Sequence, residues 1–87
     1  MSAMAASGVR AVVEVLAKAL TDRPDEVQVL ESQHKGTTLL ELYVGAGEHG
    51  RVIGRQGRTA AALRTLAASA AEKDGATVTL EIRDGKP

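Results

Sequence analysis

Two glycine-rich motifs lie almost side by side within residues 44–58, and both could bring main chain close to a phosphate. Residues 45–50 match G-x-G-x-x-G, the fingerprint of dinucleotide-binding folds. Residues 54–57 match G-x-x-G, a loop pattern that clamps the backbone of nucleic acids. The two motifs therefore indicate different ligands, and their surroundings must decide between them.

The first motif lacks the context that a dinucleotide site requires. Such a site needs a full helix after the glycines and an acidic residue at the end of a second strand, about 20 residues further on. Only three residues separate the two motifs, and the acidic residue at about that distance is Glu72, inside a predicted helix. We therefore interpret Gly45 and Gly47 as a sharp turn between a strand and a short helix. Glu48 then lies near the N-terminus of that helix, where the helix dipole favours an anion.

The second motif joins two predicted helices, which is a suitable context for binding an anion. Gly57 precedes the longer helix, whose first N–H groups have no partners within the helix. Arg55 and Arg58 add positive charge, and residues 45–66 carry four arginines against one glutamate in a chain of zero net charge. Without further context, a plain turn between helices is the better explanation of the G-x-x-G pattern, and a solvated helix face explains the arginines about as well as an anion site does.

The composition argues against catalysis. The 87 residues predict one domain with an aliphatic core, because Tyr43 is the single aromatic residue, and the absence of cysteine excludes disulfide and thiolate chemistry. His34 and His49 have no partner at a catalytic spacing, and the sequence has neither a metal-ligand cluster nor a G-K-[ST] phosphate loop. We therefore predict a protein that is not an enzyme and that uses no cofactor and no small-molecule substrate. Because no apolar signal segment or membrane span is present, we expect a cytoplasmic location and no membrane partner.

Three helices are predicted from apolar spacing and from capping residues. The first spans residues 8–20, begins after an N-cap at Ser7, and is closed by Pro24. A short helix fills residues 48–53, and a long one follows Gly57 until residues 74–75 stop it. The buried faces predicted for the two longer helices are Val9, Val12, Val13, Leu16 and Leu20 in the first, and Leu63, Leu66, Ala67 and Ala70 in the last.

Three strands are predicted from alternating apolar residues. Residues 27–32 and 40–44 should form an antiparallel hairpin around a turn at 33–36, and residues 77–82 form the last strand. The inward side chains are predicted to be Leu40, Leu42, Val44, Val78, Leu80 and Ile82, with Leu39, Glu41 and Tyr43 on the other face. This order predicts a two-layer α+β fold with three helices on one face of a three-stranded sheet, and it leaves the order of the strands open. Residues 1–7 and 85–87 are predicted to be tails around a single domain at 8–84.

The sequence "GRVIGRQGRTAAALRTL" resembles the KH-domain signature, in which V-I-G-x-x-G precedes a helix with spaced aliphatic residues. Together with "ALTDRPDEVQV", the hairpin and the terminal "VTLEI", it makes residues 9–83 similar to the small single-domain bacterial KH proteins of the KhpA family. The predicted α-β-β-α-α-β order is similar to the prokaryotic, type II, KH arrangement. One departure is the segment 45–49, because that family usually has a helix entry with proline and aspartate there.

The resemblance implies binding of single-stranded RNA, with about four nucleotides clamped by the G-x-x-G loop. Gly54 and Gly57 would give access to the main chain, Arg55 and Gln56 would face phosphates or sugars, and Arg58 would add charge. Three residues before the loop would complete the site: Arg51 at its basic rim, and Val52 and Ile53 lining the groove for bases or supporting it from the core. Arg64 lies about 240° round the helix from Arg58, so we leave it out of the site.

The resemblance also implies a role as an RNA chaperone or post-transcriptional regulator. It further implies self-association or pairing with a larger KH-containing protein, for which Leu39 and Tyr43 offer one possible surface. The alternative is a protein-interaction and dimerisation module in which the G-x-x-G loop is residual.

Overall fold

The computed structural model describes the backbone of residues 2–73 and 75–87 and the side chains of residues 8–73 and 75–87. Its helices and strands follow the predicted order, and their bounds are α1 Ser2–Leu20, β1 Gln28–His34, β2 Thr37–Val44, α2 His49–Ile53, α3 Arg58–Lys73 and β3 Thr77–Asp84. Single 3-10 turns occupy Pro24–Glu26 and Arg55–Gly57. The helices cover one face of a three-stranded sheet, which confirms the predicted α+β fold.

The sheet has the order β1-β2-β3, so β2 is central and the other two strands are edges. β1 pairs antiparallel with β2, as predicted for a hairpin, with Val29 opposite Leu42. β2 pairs parallel with β3, with Leu40 opposite Leu80. Parallel neighbours need a crossover connection, and the segment that contains α2 and α3 provides it. This connection packs α2 and α3 against the edge strand β3.

The hairpin is tighter than predicted. Its strands continue through His34 and resume at Thr37, so only Lys35 and Gly36 form the turn. Both turn residues have positive φ, +50° and +81°, as a two-residue turn of this hand requires. The sequence suggested a longer turn because Gln33 and His34 are polar, yet both are exposed residues of an edge strand.

The core is aliphatic and is centred on β2. Leu40, Leu42 and Val44 are fully buried, while Leu39 and Tyr43 on the opposite face are half-buried. This alternation confirms the predicted faces of the strand, because successive side chains of a strand point to opposite sides. In β3 the inward prediction also holds, since Leu80 is buried and Val78 and Ile82 pack partly buried against the core.

Helix α1 begins earlier than predicted. It includes residues 2–7, so Ser7 lies inside the helix and the N-cap assigned to it is wrong. Three of residues 2–7 are alanine, and the high helix propensity of alanine explains why the helix extends through this segment. Met1 and the side chains of residues 2–7 lie outside the described residues, and the division into a tail, a domain and a second tail stays a prediction.

The buried faces of α1 and α3 contain smaller residues than predicted. Val12, Leu20 and Leu66 are 43%, 38% and 51% exposed. Val9, Val13 and Leu63 are buried as predicted. The other buried side chains described in these two helices are alanines, Ala17 in α1 and Ala60, Ala67 and Ala71 in α3, of which only Ala67 was predicted. Small side chains at the contact allow the two helices to lie close together over the sheet, and the larger residues remain on the outer surface.

Helix α3 ends at Lys73, close to the predicted stop. Gly75 has φ +73° and donates its N–H to Glu72 O at 3.0 Å, while Ala76 N–H reaches Ala71 O at 2.9 Å. These two bonds form a Schellman motif, which glycine favours because it adopts the left-handed conformation without steric cost. Asp74 of the predicted stop lies outside the described residues. Among the helices that the structure describes, none combines the length and apolarity needed to traverse a bilayer.

Candidate nucleic-acid interface

The G-x-x-G segment is a tight turn that connects α2 to α3, as the sequence predicts. Gly54 has φ +77° and ψ 173°, Gln56 has φ +57°, and Gly57 has φ +72°. Gly54 N–H bonds to Gly50 O at 2.9 Å, and Gly57 N–H bonds to Gly54 O at 3.1 Å. Three of the four loop residues therefore have positive φ, which folds the main chain back within one turn and presents the loop at the surface.

The two glycines of the loop are required for different reasons. A Cβ at Gly54 would overlap Thr59 Oγ1, lie 2.7 Å from Thr59 Cβ and lie 3.0 Å from Thr59 N. A Cβ at Gly57 would meet no atom within 4 Å. The space that a side chain at position 54 would need is therefore occupied by Thr59 of α3, whereas the space beside the main chain of Gly57 is open.

The polar side chains of the loop are exposed to solvent. Arg55, Gln56 and Arg58 are all exposed. Within the described part of the chain, neither Arg55 nor Arg58 forms an ion pair. Their two positive charges are thus available to an external anion next to the open main chain of Gly57.

Arg51 is placed differently from the other cations of the predicted site. Its Nη2 lies 2.7 Å from Asp22 Oδ2, and its Nε donates to Glu48 Oε2 at 3.1 Å. Two carboxylates therefore already neutralise its charge. This placement makes Arg51 a brace between α2 and the end of α1 rather than an open cation at the rim.

Glu48 is the centre of this brace. Its carboxylate is buried, and Oε1 accepts the N–H groups of Asp22 at 2.7 Å and of Arg23 at 3.2 Å. Burial by itself raises the pKa of Glu48, but the two backbone hydrogen bonds and the charges of Arg51 and Arg23 outweigh it and lower the pKa below its ordinary value. The sequence located Glu48 correctly at the start of α2, yet it could not reveal that residues 22–23 supply its partners.

The first glycine motif serves internal packing. A Cβ at Gly45 would lie 2.7 Å from Glu26 Oε1 and 3.1 Å from Arg23 Nε, and Arg23 also donates to Ala46 O. Gly47 adopts φ +81° in the turn before α2. These residues allow β2 to turn sharply against the loop that follows α1, in agreement with the interpretation made from the sequence.

The two apolar residues before the loop have separate positions. Val52 is fully buried in the core, so it supports α2 from below and does not line a surface groove. Ile53 is half-buried next to the loop and remains able to contact a ligand. The burial of Val52 is consistent with the supporting role that the sequence left open.

One residue that sequence reasoning set aside lies against β3. Arg64 is exposed on α3, and its Nε donates to the carbonyl oxygen of Leu80 in β3 at 3.2 Å. Arg64 does point away from Arg58, by about 240° around the helix axis. It lies one turn after the buried Ala60, on the side of α3 that faces β3. The sequence carried no signal for this contact because it did not fix the position of β3.

Metal-ligating side chains are not clustered in the part of the chain that the structure describes. Within residues 2–73 and 75–87, no group of three or more histidine, aspartate or glutamate side chains is positioned to hold a metal ion. His34 is exposed, and His49 lies near Asp84 with 3.7 Å between Nδ1 and Oδ1. The features that stand out are thus the open turn and its cations.

Comparisons with known proteins found one matching family model and several similar curated proteins. The family described as KhpA/KhpB, KH domain, matches residues 10–82. Curated relatives named RNA-binding protein KhpA include one from Aquifex aeolicus, 45% identical over 87% of this chain and 96% of its own length, and one from Clostridium acetobutylicum, 47% identical over 80% and 93%. The relative of that name from Chlamydia muridarum is 45% identical over 79% of this chain and 88% of its own length. No solved structure matches the chain with significance.

Proposed function

Since the chain belongs to the KhpA/KhpB family of KH domains, we propose that it binds single-stranded RNA at the turn between α2 and α3. The named relatives are RNA-binding proteins, which also supports the prediction that the chain is not an enzyme. The observation that carries the proposal for this chain is the open main chain of Gly57, flanked by Arg55 and Arg58, which form no ion pair with any described residue.

The physical basis of binding is the clamping of a few phosphates. Arg58 N–H is bonded to Arg55 O, while the next N–H groups of the first turn of α3 have no partners within the helix, and the helix dipole favours negative charge at this end. Arg55 and Arg58 supply two full positive charges, and Gln56 supplies a neutral donor and acceptor. A sugar-phosphate backbone that rests on Gly57 is therefore met by dipoles and cations from one short segment.

Base recognition at this site rests on aliphatic contact and hydrogen bonds. Tyr43, the only aromatic residue, lies half-buried on the sheet face that the helices do not cover, and its hydroxyl is 3.5 Å from Glu41 Oε2. It therefore lies on the other side of the sheet from α2 and α3, and bases at the turn cannot stack on an aromatic ring, as they do in many single-strand binders. Ile53 offers apolar contact instead. Discrimination among bases is modest, which suits an RNA chaperone or post-transcriptional regulator in the cytoplasm.

The same fold also supports pairing between domains. Val12 and Val15 are 43% and 65% exposed on α1, and with Ala11 and Leu16 they line an apolar depression on the outer surface. A site of about four nucleotides binds weakly alone, and two linked sites gain avidity through effective concentration. We propose a homodimer, or a heterodimer with a larger KH-containing protein. A module that only dimerises, with a residual loop, is the alternative that the following experiment addresses.

The decisive experiment places negative charge on the turn. The variant Arg55→Asp/Gln56→Asp is expected to lose binding to a fluorescein-labelled oligouridylate in an anisotropy titration, with its circular dichroism spectrum unchanged. The control is His34→Asp/Lys35→Asp, which alters net charge equally at the opposite end of β2, roughly 20–25 Å away along the strand. Equal RNA affinity in both variants and in the original protein would contradict the proposal and favour the dimerisation module.

A further inference from the structure

The arginines of this protein divide into two groups by their partners. Within the described residues, four of them form ion pairs with carboxylates: Arg10, Arg23, Arg51 and Arg83. The remaining three, Arg55, Arg58 and Arg64, form none, and all three lie in the turn before α3 or in α3 itself. The unneutralised guanidinium groups are thus concentrated on one segment, and the proposed function accounts for only two of them.

The third, Arg64, is held by a neutral partner. Its Nε–H is occupied by Leu80 O, whereas the four N–H groups of its two Nη atoms have no protein acceptor among the described residues. A carbonyl oxygen orients the guanidinium plane without cancelling its charge. Because a bond from Nε restricts a long flexible side chain before any ligand arrives, less rotamer entropy remains to be lost on binding.

The position of Arg64 relates it to the proposed site. β3 is an edge strand that packs against both α2 and α3, and Asp84 at its end lies close to His49 at the start of α2. The segment of β3 between Leu80 and Asp84 therefore runs from Arg64 towards the end of the domain where α2 and the G-x-x-G turn lie. Along α3, Arg64 is about 9 Å from the first residue of the helix, a distance that a few nucleotides can span.

We infer that Arg64 is a further RNA-contacting residue, which binds a backbone phosphate of the strand that leaves the G-x-x-G turn along the edge of β3. This inference rests on the proposed function and extends it. Free Nη donors present two parallel N–H groups to a phosphate, the geometry in which arginine binds phosphate best. The RNA is thereby held at two places, at the turn and beside Leu80.

The test compares three variants in the same oligouridylate titration, carried out at several salt concentrations. Arg64→Gln is expected to weaken binding roughly five- to tenfold at low salt. It should also reduce the slope of log K against log salt by about 0.7, the contribution of one phosphate on a single strand. Arg64→Lys keeps the charge but lacks the oriented fork, so its slope should equal that of the original protein with intermediate affinity. Lys35→Gln removes one charge at the far end of the sheet and should change neither quantity.

Two results would overturn the inference. One is an Arg64→Gln variant with the affinity and salt slope of Lys35→Gln. The other is a lowered melting temperature with unchanged affinity, which would make Arg64 only a brace between α3 and β3. If Arg55→Asp/Gln56→Asp abolishes binding while Arg64→Gln does not weaken it, only this inference fails. If the original protein does not bind the oligouridylate, the proposed function itself fails.

Discussion

The two glycines of the G-x-x-G turn should respond very differently to alanine. Gly54 has φ +77° and ψ 173°, a backbone region that is almost exclusive to glycine and costs other residues about 1–3 kcal/mol. A Cβ there also overlaps the Thr59 side chain, and overpacking of this kind costs about 1–3 kcal/mol more. We therefore expect Gly54→Ala to lower the free energy of unfolding by roughly 2–6 kcal/mol.

Gly57→Ala should be much milder. Its φ of +72° costs alanine about 1–2 kcal/mol, and the added Cβ meets no protein atom. Urea unfolding followed by circular dichroism measures both variants on one scale. At about 4–8 °C per kcal/mol for a domain of this size, the difference should also be clear in melting temperature.

Among molecules that remain folded, Gly57→Ala should weaken RNA binding more than Gly54→Ala does, which is the opposite of their order in stability. Because the new methyl group of Gly57→Ala occupies the open side of the turn, this variant should remain folded and bind RNA weakly. Gly54→Ala should lose binding only in proportion to its loss of structure. Equal destabilisation by the two substitutions would refute the assignment of Gly54 to internal packing and of Gly57 to the ligand surface.

Two further predictions concern the brace and the outer face of α1. Glu48→Gln should lower the melting temperature at neutral pH, and the difference from the original protein should shrink as the pH falls below 4.5. The reason is that a carboxylate with a lowered pKa stabilises the fold above its ordinary pKa and loses that effect on protonation. A difference in melting temperature that does not depend on pH between neutral and acid conditions would contradict this. Val15→Glu should abolish self-association in sedimentation velocity, while the melting temperature measured at a concentration where the protein is monomeric stays unchanged, since Val15 is 65% exposed. An original protein that sediments as a monomer at high concentration would refute the homodimer.

Sequence patterns recovered most of the fold because they are local. The alternation along β2 and the helix-forming composition of α3 depend on neighbouring residues, and both were predicted correctly. The apolar stripe of α1 was predicted less well, because hydrophobicity alone favoured Val12 over Ala17. Which side of a helix is buried depends on how closely its neighbours pack, and here small residues form the contact.

The features of the candidate site also divide into those set by neighbouring residues and those set by the fold. The sequence by itself determined the G-x-x-G turn, the cations Arg55 and Arg58, and the absence of aromatic rings for stacking, because these are properties of adjacent residues. Only the tertiary structure decided that Arg51 is neutralised and that Arg64 lies against β3. The reason is physical: the partners of these two residues, Asp22 and Leu80, are far from them along the chain, and only folding brings those atoms within bonding distance.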